Sequence, residues 1–286
     1  MSYKLMDKDK EFSAATILKS GNKLLKLDKA VVMGILNLTP DSFYSASRNQ
    51  NSADLLRQTE KYLNEGAQIL DLGAVSTRPA AKEISFEAER TRLLESYYEI
   101  RKQFPDIWIS IDTWRSQIAE ELINAGADII NDISGAKFDP EMMKVIGRNN
   151  TPYVLMHIQG KPENMQENPH YDDIIGEISQ FFSTQIKAFN SFGANQLIID
   201  PGFGFGKSLD HNYQILNSLD RFSDLELPIL VGLSRKSMIH KLLNITAEDS
   251  LNGTTVLNTI ALQKGAKILR VHDVKEALEA INIVGL

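Results

Sequence analysis

The chain has 286 residues, 43% of them hydrophobic and 24% charged, which are ordinary values for a globular protein with a large core. A net charge of −6 argues against a general nucleic-acid binder, and the absence of cysteine excludes disulfides, thiolate metal sites and cysteine nucleophiles. This composition fits a reducing cytoplasm, and we expect no membrane span because no apolar run reaches about 18 residues and the first residues lack an apolar signal core.

The first 29 residues are predicted to form a lead-in to the main domain. A mildly apolar segment from 13 to 27 contains Gly21-Asn22, a typical turn pair, and indicates a small hairpin or an extended strand. From residue 30 to residue 286, short apolar runs alternate with longer helical segments. The apolar runs are 30–36, 68–72, 107–111, 128–130, 153–156, 196–199, 228–231 and 267–271. The predicted helices are 53–65, 86–103, 116–125, 140–148, 172–192 and 274–282.

The apolar runs indicate parallel strands. They are continuously apolar rather than alternating, as is typical of strands that are covered on both faces. Four of them follow a Gly-Ala pair, at 66–67, 126–127, 193–194 and 265–266, and glycine there is expected to end the preceding helix. About eight such units in one chain predict a single closed (β/α)8 barrel, an α/β fold; a doubly wound open sheet is the alternative.

Nearly every predicted strand ends in a polar or charged residue. In chain order these ends are Asn37, Asp71, Asp112, Asn131 with Asp132, His157, Asp200, the segment 234–237 (Ser-Arg-Lys-Ser) and the segment 270–273 (Arg-Val-His-Asp). The carboxyl ends of the strands of such a barrel meet at one face, so we expect these groups to form one site. Asp132 and Asp273 are the best candidates for simple helix caps. His157 is expected beneath the floor of the pocket.

The segment 197–207 (Leu-Ile-Ile-Asp-Pro-Gly-Phe-Gly-Phe-Gly-Lys) is the clearest candidate loop at this face. It is neither a phosphate-binding loop nor a dinucleotide-binding loop, because Pro201 and Leu209 stand where those patterns require glycine. Glycine at every second position predicts a close approach of the backbone to a ligand, and the phenylalanines between them would form an apolar wall. The sequence assigns no role to Lys207.

The side chains at the strand ends indicate a flat heterocyclic ligand. The carboxylates of Asp112 and Asp200 and the amide of Asn131 match the N–H donors of an amino-pyrimidinone edge. Lys236 would then bind acceptor atoms of the same ring.

A phosphate site is predicted at the end of the last strand. Arg270 and His272 flank the start of the last predicted helix, where positive side chains and free backbone N–H groups favour an anion. A tight transition-metal site is not expected, because the chain has no cysteine and no His-x-x-x-His pair. Asn37, however, could give one oxygen to a Mg²⁺ whose other ligands are phosphate oxygens and water.

These motifs together resemble the dihydropteroate synthase family of pterin-binding barrel enzymes. The matching segments are 33–43 (Met-Gly-Ile-Leu-Asn-Leu-Thr-Pro-Asp-Ser-Phe), 76–79 (Ser-Thr-Arg-Pro), 112–113 (Asp-Thr), 131–135 (Asn-Asp-Ile-Ser-Gly), 156–160 (Met-His-Ile-Gln-Gly), 200–207 (Asp-Pro-Gly-Phe-Gly-Phe-Gly-Lys), 232–237 (Gly-Leu-Ser-Arg-Lys-Ser) and 270–273 (Arg-Val-His-Asp). They follow the family's order from about residue 30 to the C-terminus, and as an ordered set they are highly specific.

The resemblance implies a transferase of folate biosynthesis that condenses a hydroxymethyl-dihydropterin pyrophosphate with p-aminobenzoate and releases pyrophosphate. It implies Mg²⁺ as the cofactor, a homodimer and a target of sulfonamides. By the same resemblance the pterin would be held by Asp112, Asn131, Asp200 and Lys236, the phosphates by Thr77, Arg270 and His272, the Mg²⁺ by Asn37, and p-aminobenzoate by Phe205 and Ser237. Loop residues Asp41, Phe43, Arg78 and Pro79 would close over the site. The expected catalytic residues are Asp112, Lys236, Asp41 and Arg78.

The chain departs from the usual family pattern at three positions. Val75 stands where glutamate is common, and Ala80 and Ala136 stand where glycine is common. Two alternative functions remain open: a methyltetrahydrofolate–corrinoid methyltransferase of the same superfamily, which would not need the phosphate residues, and a non-catalytic pterin-binding paralogue.

Overall fold

The computed structural model describes residues 17–38, 48–75 and 84–285. Its strands are β1 (Ile17–Ser20), β2 (Lys23–Lys26), β3 (Val31–Asn37), β4 (Ile69–Gly73), β5 (Trp108–Asp112), β6 (Ile129–Asp132), β7 (Tyr153–Met156), β8 (Leu197–Asp200), β9 (Ile229–Val231) and β10 (Ala266–Val271). Its helices are α1 (Arg48–Asn64), α2 (Phe86–Gln103), α3 (Ser116–Asn124), α4 (Glu141–Asn149), α5 (Ile174–Ser191), α6 (Leu209–Asn217), α7 (Ser237–Leu243), α8 (Leu251–Gln263) and α9 (Val274–Val284). Short 3-10 helices span Leu219–Leu225 and Glu248–Ser250.

The eight strands β3 to β10 form a closed parallel barrel. Each pairs with the next in chain order, and β10 pairs with both β9 and β3, which closes the ring. The predicted (β/α)8 barrel is therefore confirmed, and the open doubly wound sheet is excluded. No helix within the described ranges is long and apolar enough to cross a membrane.

Each barrel strand contributes alternate residues to two apolar cores. The core inside the barrel contains Val31, Met33, Ile69, Trp108, Ile129, Val154, Ile198, Leu230 and Ile268. Residues one position along, such as Val32, Leu70 and Ile109, belong to the outer core beneath the helices. Successive side chains of a strand point to opposite faces, so every strand is buried on both sides. This is why the strand sequences are continuously apolar.

Glycine ends the helices that precede four of the strands, as predicted. The residues concerned are Gly66, Gly126, Gly193 and Gly265, with φ values of 97°, 100°, 90° and 94°. Residues with a Cβ rarely adopt this left-handed region, so glycine lets the chain leave the helix and enter the strand at once.

The N-terminal hairpin closes the bottom of the barrel. β1 and β2 pair in antiparallel register, which confirms the predicted hairpin. Leu18, Leu25 and Leu27 join the inner apolar core. The buried carboxylate of Asp128 fixes the hairpin from the barrel side, because it accepts hydrogen bonds from Ser20 Oγ at 2.7 Å and from Lys23 Nζ at 2.6 Å. The hairpin thus closes the amino-terminal end of the barrel.

The helices α6, α7 and α8 were not predicted from the sequence. α8 contains Gly253 and three threonines, which are weak helix formers, and its stability comes from packing of buried residues such as Leu257 and Ala261. α6 begins at a reciprocal capping pair between Ser208 and His211, where the usual pattern has Glu or Gln in place of the histidine. The helical conformation of these three segments therefore depends on tertiary packing more than on the local sequence pattern.

Candidate active site

A polar layer lies above the inner apolar core at the carboxyl end of the barrel. In β4 the residue two positions after Ile69 is Asp71, and in β10 the residue two positions after Ile268 is Arg270. Because side chains two residues apart on a strand face the same way, these polar groups point into the barrel. The same rule applies to Ser110 and Asp112 of β5, Asn131 of β6 and Asp200 of β8. The predicted convergence of strand-end groups is therefore observed.

Arg270 bridges two carboxylates at the centre of this layer. Its Nε donates to Asp71 Oδ2 at 2.6 Å, and its Nη2 donates to Asp112 Oδ2 at 2.8 Å. The Asp71 side chain is fully buried, whereas the side chains of Asp112 and Arg270 are 12% and 21% exposed. Burial raises the pKa of Asp112 to about 7, although the nearby Arg270 acts in the opposite direction. Asp112 therefore gains or loses its charge near neutral pH.

Asn131 shares the same buried carboxylate. Its Nδ2 donates to Asp71 Oδ2 at 3.1 Å. Asp71 thus holds two groups of the layer together. The sequence predicted Asp71 as one of the strand-end groups of the site but assigned no partner to it, and its inward position two residues after Ile69 was the available signal.

Asp200 ends β8, Lys236 follows β9, and their opposite charges attract each other electrostatically. Asp200 Oδ1 accepts the backbone N–H of Gly202 at 2.7 Å, and burial raises the pKa of Asp200 while Lys236 opposes that shift. Burial lowers the pKa of Lys236 to about 8, an effect that the negative charge of Asp200 reduces. Lys236 Nζ donates to the carbonyl of Phe203 and lies 4.8 Å from the ring centre of Phe205. The ammonium therefore lies over the aromatic face of Phe205 and is attracted electrostatically by Asp200.

The glycine loop that follows β8 packs against protein backbone. A Cβ on Gly202 would lie 2.0 Å from His157 O, and a Cβ on Gly206 would lie 2.3 Å from Gln159 O. Both glycines also have positive φ values, 71° and 64°. Contact with the loop after β7 therefore requires glycine at these two positions, and the predicted approach of this backbone to a ligand stays a prediction.

The two phenylalanines of the loop have different environments. Phe203 is fully buried in the outer core. Phe205 is half-buried and packs on the apolar cluster formed by Ile133, Met156, Ile158 and Met165. The predicted apolar wall therefore consists of Phe205 alone.

Lys207 anchors the end of the same loop. Its Nζ donates to Phe205 O at 3.0 Å and to His157 O at 3.3 Å, and it lies 3.1 Å from His157 Nδ1. Burial, followed by the positive charge of Lys207, lowers the pKa of His157 to about 2, so the imidazole is neutral and can accept from the ammonium. His157 is buried, its position beneath the pocket stays a prediction, and Lys207 anchors the loop, a role that the sequence left open.

The loops after β9 and β10 are tied together beside this layer. His272 N donates to Ser234 Oγ at 3.2 Å, and the same hydroxyl lies 3.1 Å from His272 Nδ1. Arg235 makes a bidentate ion pair with Asp273, with both distances 2.9 Å. Asp273 occupies the N-cap position of α9, as predicted, but its carboxylate binds Arg235 and makes no cap hydrogen bond to the helix. Asp132, in contrast, does cap a turn, accepting from Ser134 N at 2.7 Å and Ala136 N at 3.0 Å.

The remaining predicted site residues lie at the rim or outside the described residues. Asn37 is the half-buried last residue of β3, and Ser237 is the exposed first residue of α7. Asp41, Phe43, Thr77, Arg78 and Pro79 are outside the described residues.

Comparisons with known proteins agree with this layout. A family model described as "Pterin binding enzyme" matches residues 33–272. The dihydropteroate synthase of Escherichia coli strain K12 is 43% identical over 262 residues, which cover 91% of this chain and 92% of that protein. That of Bacillus subtilis strain 168 is 38% identical over 251 residues, covering 87% and 85%.

The chain is also similar in fold to solved structures of dihydropteroate synthases. Yersinia pestis dihydropteroate synthase with a sulfonamide drug complex has a TM-score of 0.88 at 41% identity, covering 94% of this chain and 98% of that one. Dihydropteroate synthase from Thermus thermophilus in complex with 4-aminobenzoate has a TM-score of 0.83 at 36% identity, covering 94% and 98%.

Proposed function

Because this chain belongs to the dihydropteroate synthase family of pterin-binding enzymes, we propose that it condenses 6-hydroxymethyl-7,8-dihydropterin pyrophosphate with p-aminobenzoate. The products are 7,8-dihydropteroate and pyrophosphate. The bond between the substrate methylene carbon and the pyrophosphate oxygen breaks, a carbon–nitrogen bond to the arylamine forms, and one proton leaves the arylamine nitrogen. The observation that carries the proposal is the buried polar layer, whose carboxylates, amide and ammonium complement a pterin ring.

The pterin ring is proposed to bind to the inward-facing groups of β5, β6 and β8. Asp112 and Asp200 supply carboxylates for the N–H donors of the ring, and Asn131 supplies an amide. Lys236, whose ammonium is attracted electrostatically by Asp200, supplies a donor for ring acceptors. Groups that are already fixed by neighbouring hydrogen bonds lose little freedom on binding, which favours tight and oriented capture of the ring.

The negative charge of Asp112 also supports the chemical step. Positive charge develops on the pterin methylene as the pyrophosphate leaves, and a nearby carboxylate stabilises it. Asp112 is mostly buried, so its field is weakly screened by water. The arylamine needs little activation, and no strong general base is invoked.

The pyrophosphate is proposed to bind on the side of the last strand. The guanidinium of Arg270 has its Nε and Nη2 occupied by carboxylates, and Nη1 makes no hydrogen bond to any described residue, so it is available to a phosphate oxygen. His272 lies just before the N-terminus of α9, whose positive end favours an anion. Thr77, outside the described residues, would add a hydroxyl.

The donor set at the barrel mouth fits Mg²⁺ held mainly by substrate. Within the described ranges no three His, Asp or Glu side chains come together as a metal site. Asn37 offers a single hard oxygen donor on the half-buried end of β3, and Mg²⁺ is usually held by one or two protein groups with phosphates and water. When bound, the ion would neutralise charge on the leaving pyrophosphate.

The p-aminobenzoate is proposed to lie between Phe205 and Ser237. Phe205 presents a half-buried ring beside the Lys236 ammonium, and Ser237 is exposed at the start of α7. Asp41 and Arg78, which lie outside the described residues, are proposed from the family resemblance to act at this site.

The test is the condensation itself. Purified protein, the pterin pyrophosphate, p-aminobenzoate and Mg²⁺ should yield dihydropteroate. Lys236→Ala should lower kcat/KM roughly 10- to 150-fold, the loss expected for one hydrogen bond from a charged donor, without unfolding the barrel. Lys144→Ala, at a lysine on the outside of α4, is the matched control and should act like the wild type. Absence of product, or near-normal activity of Lys236→Ala, would contradict the proposal.

We further propose a cytoplasmic homodimer whose interface is the apolar face of α7 and α8. Leu242, Leu243 and Val256 are 57%, 51% and 49% exposed, and Leu243 lies beside Gly253 of α8, the helix that also carries Val256. An exposed apolar patch of this kind favours association with a second copy. Sedimentation should give twice the chain mass, and Leu243→Glu should shift it to monomer; a monomeric wild type would overturn the proposal.

A further inference from the structure

Asp71 is the most buried charged group of the polar layer. Its side chain has no exposed surface, and a single oxygen, Oδ2, accepts from both Arg270 Nε and Asn131 Nδ2. These three residues come from three different strands, β4, β10 and β6. No substrate role was assigned to Asp71 above, yet its contacts involve two groups that do have one.

The carboxylate decides which way the Asn131 amide faces. An ionised carboxylate can only accept hydrogen bonds, so the NH₂ group of Asn131 must face Asp71. The amide oxygen of Asn131 must then face the opposite way, toward the space above the layer. A pterin therefore meets an acceptor at this position, which complements the N–H groups of its amino-pyrimidinone edge. If the amide rotated, the ring would meet a donor opposite its own donors.

The same carboxylate holds Arg270 in place. Arg270 spans Asp71 at 2.6 Å and Asp112 at 2.8 Å, so one guanidinium compensates two buried negative charges. This pairing uses Nε and Nη2 and turns Nη1 away from Asp71. Without Asp71, the guanidinium would keep only its contact with Asp112, and that carboxylate would be drawn further into an ion pair and away from the substrate.

We infer that Asp71 is a positioning residue that fixes the donor and acceptor pattern of the pterin pocket through Asn131 and Arg270. It touches no substrate itself. The inference rests on the proposed function, since it assigns the pterin to this layer. It predicts that Asp71 controls pterin affinity selectively and leaves p-aminobenzoate binding nearly unchanged.

The test compares two substitutions with different remaining chemistry. Asp71→Ser removes the acceptor from reach of both partners and should raise the KM and Kd for the pterin pyrophosphate about 30-fold or more. Asp71→Asn keeps an acceptor oxygen of the same reach but loses the charge, so the increase should be only about 3- to 10-fold. In both variants the KM for p-aminobenzoate at saturating pterin should stay within about 3-fold of the wild type.

A double-mutant cycle distinguishes positioning from a general effect on the fold. If Asp71 acts through Asn131, the double variant Asp71→Ser/Asn131→Ala should have a pterin Kd no more than about 3-fold above that of the single variant that binds pterin less tightly. The control is Asp128→Asn, at a buried carboxylate of the opposite barrel end. It should lower stability but leave the pterin Kd unchanged. If Asp71 only supports the fold, the two substitutions should act independently, and their fold-increases in pterin Kd should multiply.

Each outcome decides the matter. Wild-type pterin affinity in Asp71→Asn and Asp71→Ser, an equal rise of both KM values, or multiplying effects in the cycle would overturn the inference. If Asp71→Ser does not fold, Asp71→Asn serves as the test, because asparagine fills the same volume as aspartate. A pterin KM equal to that of the wild type in this variant would then overturn the inference. Titration of pterin pyrophosphate into each variant measures binding without turnover. An inactive wild type that still binds the pterin would thus sink the proposed reaction while leaving this inference testable.

Discussion

Two ionisable side chains of the polar layer have pKa values that burial moves toward neutrality from opposite sides. The pKa of Asp112 rises to about 7 and that of Lys236 falls to about 8. In each case loss of water is the largest cause, and the opposite charge nearby, Arg270 or Asp200, only partly offsets it. Both groups are therefore charged together only in a narrow range around neutral pH, and the proposed pterin site uses both charges.

The pH dependence of kcat/KM for the pterin pyrophosphate should follow these two groups. Below about pH 7 Asp112 gains a proton and loses an acceptor, and above about pH 8 Lys236 loses its proton and its charge, so activity should fall on both sides. Lys236→Arg should lower activity but move the alkaline limb beyond about pH 10, because arginine stays protonated. An alkaline limb near 8 that persists in this variant would assign it to another group.

At the scale of single elements, the loop after β8 shows how backbone geometry fixes a site. Gly202 has both a left-handed φ and a backbone oxygen 2.0 Å from where its Cβ would be. Its carbonyl accepts the N–H of Phe205, and Lys207 holds the other end of the turn. Packing therefore fixes the conformation of this loop, which carries Phe205, the residue proposed to contact p-aminobenzoate.

Replacing two left-handed glycines by alanine should separate the two constraints. Gly265→Ala meets only the φ penalty, since no atom lies within 4 Å of its Cβ, and should cost about 1–2 kcal/mol of unfolding free energy. Gly202→Ala adds a clash with the His157 carbonyl and should cost more than about 3 kcal/mol. Urea denaturation measures both, and similar losses in the two variants would show that the close approach contributes nothing.

At the scale of the whole molecule, the two ends of the barrel differ in structure. The amino-terminal end is closed by the hairpin and by Asp128, whose carboxylate also accepts from Arg101 at 2.7 Å and from the backbone N–H of Ile109 at 2.9 Å. The carboxyl end carries the polar layer. An apolar layer separates the two, so charges at the bottom are remote from the chemistry.

Asp128→Ala should therefore destabilise the protein without altering catalysis. Removing one partner of a buried charge network leaves Lys23 and Arg101 without their carboxylate and should cost about 3–5 kcal/mol. Urea denaturation should show this loss, while KM for both substrates should stay at wild-type values at a temperature where the variant is folded. A raised KM would mean that the hairpin end communicates with the site.

The barrel and most groups of its candidate site could be predicted from the sequence. Strand positions follow from burial on both faces, which forces continuous apolar runs, and from glycines that end the helices. The residues at the strand ends could be predicted to converge, because parallel strands of a closed barrel bring their carboxyl ends to one face. Asp112, Asn131, Asp200 and Arg270 were all recognised in this way, and the ordered motifs identified the family.

The hydrogen bonds and ion pairs between these groups depend on the tertiary structure and could not be predicted from the sequence. Arg270 and Asp71 are 199 residues apart in the chain, and their hydrogen bond depends on the closure of the barrel between β3 and β10. The ion pair of Asp273 with Arg235, and the backbone that crowds Gly202, likewise come from neighbouring loops that local sequence does not specify. Residue types along a strand fix what a site contains, whereas long-range packing fixes which atom faces the ligand.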